Sequence, residues 1–261
     1  MYQKLLSLAF AGLASVSAAN AAQINVDELA NKVEPDVIKW RHHFHEFPEL
    51  SNREFKTAEY VADYLESLGL EVQTGVAKTG VVAILDSGKP GPVVALRADM
   101  DGLPVKEQND LSYRSKQVGE YNGKEVPVMH ACGHDTHMAM LMGAAKILTE
   151  IKGDLKGKVK FIFQPAEEGA PAGEKGGAEV MVAEGVLKNP DVDAIFGLHI
   201  NANTDVGKVR YNAGGTMAAV DPFKIVIHGK QAHGAYPWKS VDPVVTAAQM
   251  IMSIQTIVSR E

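Results

Sequence analysis

The feature that most constrains the fold is the alternation of short β-branched runs with longer amphipathic segments. The runs Gly80 to Leu85, Val93 to Arg97, Lys158 to Phe163 and Asp193 to Leu198 have strand composition. The first two are separated by the turn Ser87-Gly88-Lys89-Pro90-Gly91-Pro92 and read as adjacent strands. Around them lie helical patterns. Leu29, Val33, Val37, Trp40 and Phe44 form one apolar face, with Pro35 expected to kink or restart it. A second helix opens at a capping box of Ser51 and Glu54, runs through Phe55, Val61 and Leu65, and stops at Gly69. Two more follow Gly133 and cover Ala178 to Leu187. Strands alternating with helices predict an α/β domain: a mixed, largely parallel sheet flanked by helices.

The pattern changes near Met217. Phe223 to His228 alternates as a strand, a Gly-rich turn holds His233, and Asp242-Pro243 opens a helix to Val258. One strand and one helix cannot bury a core of their own. The expected organisation is therefore a catalytic domain over residues 22–216 and the start of a small α+β domain over 217–261, cut short.

The first residues carry Lys4, an apolar stretch from Leu5 to Ala18, and the small-residue pattern Ala19-Asn20-Ala21. That layout predicts a secretory signal peptide over residues 1–21, cleaved after Ala21. The stretch is shorter than the roughly 20 residues that span a bilayer, so no membrane anchor is expected. The expected location is periplasmic or secreted.

The formal net charge is −6, and no basic stripe interleaves with aromatics. Nucleic-acid binding is therefore excluded on electrostatic grounds, and a small molecule or peptide is the expected partner. The chain has one cysteine, Cys132. In an oxidising compartment it has no internal disulfide partner and needs another reason to persist.

Four segments place metal-capable side chains near strand ends: Asp99 and Asp101, Cys132 and His134, Glu167 and Glu168, and His199. In open α/β sheets, ligands bind at that edge. Around Gly133, Cys132 and His134 can turn a thiolate and an imidazole toward one point, a donor pair suited to zinc and similar ions. His137, one turn further on, can be a third ligand, though we prefer a supporting or helix-surface place. Asp135 is the expected partner fixing the His134 tautomer. Adjacent residues of an extended segment point opposite ways, so one of Glu167 and Glu168 should bind metal while the other faces substrate. Spacing alone does not say which. His199 ends an apolar strand, where an unpaired imidazole would be costly. His42, His43 and His45 lie on the first helix and are expected at its surface or in packing.

These segments fall in the order Arg41-His42-His43-Phe44-His45, Pro48-Glu49-Leu50, Ala95 to Pro104, Met129 to Asp135, Phe163 to Glu168, Gly197-Leu198-His199 and Gly229 to Gly234. With them the chain resembles the N-acyl-amino-acid amidohydrolase branch of the aminoacylase and metallocarboxypeptidase family, which includes hippurate hydrolases and indole-acetyl-amino-acid hydrolases. The resemblance implies a pair of divalent ions (zinc, manganese, cobalt or nickel) ligated by Cys132, His134, Glu168 and His199. It implies Glu167 as general base, with Asp99 and Asp101 in supporting roles. It also implies that His233, in a lid or dimerisation domain, helps hold the substrate, with the complete protein a homodimer. The expected reaction is hydrolysis of an N-acyl amino acid or short peptide by metal-activated water. The family carries a further ligand histidine near its C-terminus that this chain does not reach. Two other readings stay open: a non-catalytic metal-binding fragment, and a hydrolase that uses Cys132 as nucleophile.

Overall fold

The computed structural model describes residues 24–217 and 223–259. The expected signal peptide lies outside the described residues. The chain divides into two compact units, with the boundary between Thr204 and Asp205. The first unit contains, in chain order, α1 (Val26–Glu46), α2 (Phe55–Ser67), β1 (Glu71–Val76), β2 (Gly80–Asp86), β3 (Val93–Asp99), β4 (Val118–Tyr121), β5 (Lys124–Pro127), α3 (His134–Glu150), β6 (Lys158–Gln164), α4 (Gly177–Ala183) and β7 (Ala194–Gly197).

Five strands form one mixed sheet in the order β1-β2-β6-β3-β7, and β4 and β5 pair as a separate hairpin. The sheet corrects the expectation that β2 and β3 are neighbours. β6 lies between them, antiparallel to β2 and parallel to β3, with Val81 opposite Phe163 and Asp99 opposite Gln164. β7 is also parallel to β3. Composition marks strands, but pairing is decided by tertiary packing, to which a local pattern is blind.

Side chains alternate across β6, and the two sides meet different partners. Phe161 and Phe163 join Phe44, Leu65, Ala98, Met138 and Met142 in the main core under α1, α2 and α3. Ile162 faces the other way, into a smaller cluster with Val76, Val82, Ala95 and Met181 of α4. Helices therefore cover both faces of the sheet.

α1 begins at Asn25, whose side chain accepts from the Glu28 amide, and runs through Pro35 as one helix. Proline inside a helix removes one hydrogen bond at a cost of about 3 kcal/mol. Burial of Val33, Trp40 and Phe44 offsets this, so no restart occurs. The expected Ser51–Glu54 capping box is absent. The cap of α2 comes instead from Glu49, which accepts from the Thr57 amide at 2.8 Å. Ser51 and Glu54 are both buried and bond elsewhere.

The second unit holds a short bridge between Lys230 and Val241, a single 3-10 turn at Pro237–Lys239, and α5 (Pro243–Ser259). Phe223 to His228 does not form the expected strand, because among the described residues no neighbouring strand supplies hydrogen bonds to it. No described helix is long and apolar enough to cross a membrane.

Candidate metal centre

Because β3, β6 and β7 are mutually parallel, their carboxyl ends emerge on one edge. Asp99 ends β3, Glu167 and Glu168 follow β6, and His199 follows β7. The amino end of α3 brings His134 to the same edge. Gly133 supplies the left-handed turn before it, at φ +97°, and any Cβ there would lie 2.4 Å from Ile200 Cδ1. Only glycine lets Ile200 lie against the Cys132–His134 turn.

His134 is wholly buried. Its Nδ1 lies 2.8 Å from the Asp101 carbonyl oxygen, to which it donates. Among the described residues, Nε2 has no hydrogen-bond partner. Instead it faces Glu167 Oε2 at 3.6 Å, Asp99 Oδ2 at 3.7 Å and Glu168 Oε1 at 3.8 Å. A buried nitrogen without a partner costs stability unless something binds it. Beside it, Cys132 Sγ lies 3.4 Å from His199 Nε2. Donor atoms of Cys132, His134 and His199 lie within 4.8 Å of one another, as do those of His134, Glu167 and Glu168.

The electrostatics call for positive charge at this point. Burial works to lower the His134 pKa, but the Asp101 carboxylate, its Oδ1 3.4 Å from Nδ1, and the charges of Asp99 and Glu167 outweigh it and hold the pKa above the ordinary imidazole value. Burial, with the charges of Glu168, Glu167 and Asp99, pushes the Cys132 thiol up to about 12. Burial and the Asp99 charge raise Glu167. A divalent cation among these groups would reverse each penalty, and a mixed thiolate, imidazole and carboxylate donor set suits such an ion. The residues therefore fit a metal centre.

His137 also lies within 4.8 Å of Asp99 and His134. Both of its ring nitrogens are already engaged: Nδ1 donates to Asp99 Oδ1 at 2.7 Å, and Nε2 accepts from the Ile200 amide at 3.0 Å. It therefore ties the end of β3 to the segment carrying His199. Asp99 also accepts from Arg97 Nη1. Burial alone would raise its pKa, but His137, His134 and Arg97 together hold it well below the usual carboxylate range.

Two expectations change here. Glu167 and Glu168 do not point opposite ways, because the chain after β6 turns rather than extends. Ala166 takes φ +49°, and the Glu167 and Glu168 amides both donate to the Asp101 carboxylate at 3.0 Å. Asp135 does not fix the His134 tautomer, which the Asp101 carbonyl sets. Asp135 instead accepts from Arg41 Nε at 3.0 Å and His45 Nδ1 at 2.9 Å.

His45, expected at the helix surface or in packing, is buried, with Nε2 donating to Glu107 Oε1 at 2.9 Å. The i, i+4 spacing of Arg41 and His45, which shares one helix face, was the available signal. His130, also buried, has no partner on either ring nitrogen among the described residues, and burial lowers its pKa to about 4. His233 lies in the second unit, exposed, its Nδ1 accepting from the Ala235 amide at 3.1 Å.

Comparison with known proteins places this arrangement. The chain is 44% identical over 235 residues to an N-acyl-L-amino acid amidohydrolase of Geobacillus stearothermophilus, covering 90% of this chain and 60% of that protein. It is 43% identical over 240 residues to thermostable carboxypeptidase 1 of Saccharolobus solfataricus, covering 90% and 58%. The chain thus spans about three-fifths of these relatives. A solved structure of the YXEP protein of Bacillus subtilis, described as a dinuclear metal binding peptidase, superposes with a TM-score of 0.56 at 39% identity, covering 69% of this chain and 45% of that one. The profile described as Peptidase family M20/M25/M40 matches residues 95–258, which hold the β3, α3, β6 and β7 segments of the site. The chain belongs to peptidase family M20/M25/M40.

Proposed function

We propose that the chain supplies the metal-binding half of a hydrolase that cleaves the amide bond of N-acyl amino acids or short peptides. The observation that carries this is the partnerless His134 Nε2, buried against Asp99, Glu167 and Glu168 with Cys132 and His199 alongside. Cys132, His134, Glu168 and His199 would hold a pair of divalent ions, of zinc, manganese, cobalt or nickel. When bound, such ions polarise an amide carbonyl and make water acidic near neutrality.

The chain's own residues do the rest. Glu167 is partly open to solvent and has a raised pKa, so its carboxylate is basic enough to take a proton from water and return it to the leaving amine. Asp101 holds the amides of Glu167 and Glu168, and Asp99 receives Arg97 and His137. His233 is assigned to substrate binding on the strength of its matching motif alone. We further assign the protein to the exported compartment and to a homodimer joined through its second unit.

The test is hydrolysis of N-acetyl and N-benzoyl amino acids after loading with each metal, with and without chelator. Loss in chelator and recovery on metal addition are expected. One observation favours a second reading: the 3.4 Å approach of Cys132 Sγ to His199 Nε2 could mark a thiol–imidazole nucleophile. That reading requires activity to survive chelator and fall on alkylation. It also requires a depressed thiol pKa, whereas this thiol is pushed up. Metal uptake without turnover would identify a binding fragment. N-terminal mass analysis of the exported protein and its sedimentation test export and dimerisation.

A further inference from the structure

Glu54 is a carboxyl group that the proposed chemistry does not use. It is fully buried at the start of α2. Its Oε2 accepts from Thr79 Oγ1 at 2.6 Å, and its Oε1 accepts from the Ala166 amide at 2.8 Å. Asp101, equally buried, takes the next two amides, Glu167 on Oδ1 and Glu168 on Oδ2, and also the Ser51 hydroxyl at 2.6 Å. Three successive backbone N–H groups thus end on two buried carboxyl groups. Two such groups so close together are costly to bury, so their pairing on one turn needs a reason.

The reason lies in the turn itself. Ala166 is a non-glycine residue in the left-handed region, which persists only where surrounding contacts dictate it. Were the chain extended there, the Glu167 and Glu168 side chains would diverge, whereas here their oxygens converge on His134. We propose that Glu54 is a positioning residue: by receiving the Ala166 amide it holds the left-handed turn that brings Glu167 and Glu168 together at the metal centre. This rests on the reading of Glu168 as ligand and Glu167 as base.

Glu54→Gln keeps an acceptor for the Ala166 amide and a partner for the Thr79 hydroxyl, whereas Glu54→Leu keeps neither. Zn2+ affinity, read by chelator competition on the metal-free chain, should stay within about threefold of the parent for Gln and fall about 10- to 100-fold for Leu. The Leu variant should also show faster hydrogen exchange at residues 166–168 and an altered Co2+ absorption spectrum, while α1 and α3 keep their protection. A folded Leu variant with parental Zn2+ affinity and Co2+ spectrum would overturn the proposal, as would a Gln variant as impaired as Leu. If the Leu variant does not fold, Glu54→Ala, which also removes the acceptor of the Ala166 amide but adds no apolar side chain, carries the same comparison, and parental Zn2+ affinity and exchange there would overturn it. Glu168→Ala is measured in parallel. If it leaves Zn2+ affinity unchanged, the ligand assignment fails, while exchange at Ala166 still decides the role of Glu54.

Discussion

Two buried histidines, both one side chain away from Asp135 or Asp101, behave in opposite ways. His45 has both ring nitrogens 2.9 Å from carboxylates, Asp135 on one side and Glu107 on the other. It is a completed ionic cluster, with Arg41 as a second cation on Asp135. His134 has one nitrogen satisfied by a backbone carbonyl and the other surrounded by three carboxylates at distances too long for hydrogen bonds. A histidine that is finished by its own chain is structural. One whose lone pair is left over, buried and surrounded by negative charge is arranged for a ligand from outside.

The comparison can be broken by mutation. The largest effect is expected at the open cluster: Glu167→Gln in the metal-loaded enzyme should keep its metal and lose about 10²- to 10⁴-fold in turnover. Glu168→Ala and His134→Ala should instead lose metal. Metal analysis beside the kinetic assay separates the two classes, and reversed metal contents would exchange the roles of the two glutamates.

At the closed cluster, His45→Ala should destabilise the fold by about 3 kcal/mol, since removing one partner strands buried carboxylates. Urea denaturation measures this. The folded variant should still bind Zn2+. If it lost metal as His134→Ala does, the division between the clusters would fail.

A smaller effect sharpens the electrostatic side. Because burial, Glu168 and Glu167 push the Cys132 thiol up to about 12, iodoacetamide should alkylate it at pH 8 at least about tenfold more slowly in the folded metal-free chain than in urea. Glu168→Gln should speed the folded reaction. Equal rates in all three would remove the argument that this field calls for a cation.

The smallest effect concerns pH. The Asp135 hydrogen bond, outweighing burial and helped by Glu107, raises the His45 pKa, so its contribution is complete below its unfolded value of about 6.5 and is lost as pH rises through the folded one. Burial works to raise Asp135, but His45, His130 and Arg41 outweigh it and lower it, so its contribution is complete above its unfolded value of about 3.9 and is lost as pH falls. The stability difference between parent and His45→Ala should therefore be greatest between about pH 4 and 6.5. A difference that grows toward pH 8 would show that His45 is neutral in the fold.

Much of this was legible in the chain. β-branched runs located β2, β3, β6 and β7, and the pattern after Gly133 located α3, because burial on one face leaves a period in the sequence. Donor residues near strand ends pointed to one edge of the sheet. What stayed hidden depends on contacts between distant segments. Nothing local says that β6 enters between β2 and β3, or that Ser51 and Glu54, which mimic a capping box, serve Asp101, Thr79 and Ala166 instead. The two glutamates converge in a turn that opens at Ala166 with a positive φ, which that residue type ordinarily avoids. The ion pairs of His45 were not legible because its partners come from Glu107 and Asp135, far along the chain.

The insertion of β6 between earlier strands also sets an order of events in time. β2 and β3 leave the ribosome long before their shared neighbour, and Val93 must wait for Lys158, and Val94 for Ala194, before the ladder can close. Such distant pairings make for slow folding, since the entropy of closing each loop is lost before any contact repays it. During that interval the thiol of Cys132 has neither His199 nor the glutamates beside it. Sulfur chemistry in the nascent chain is then governed by the surroundings rather than by the fold, and the arrival of β7 sets His199 beside the thiol.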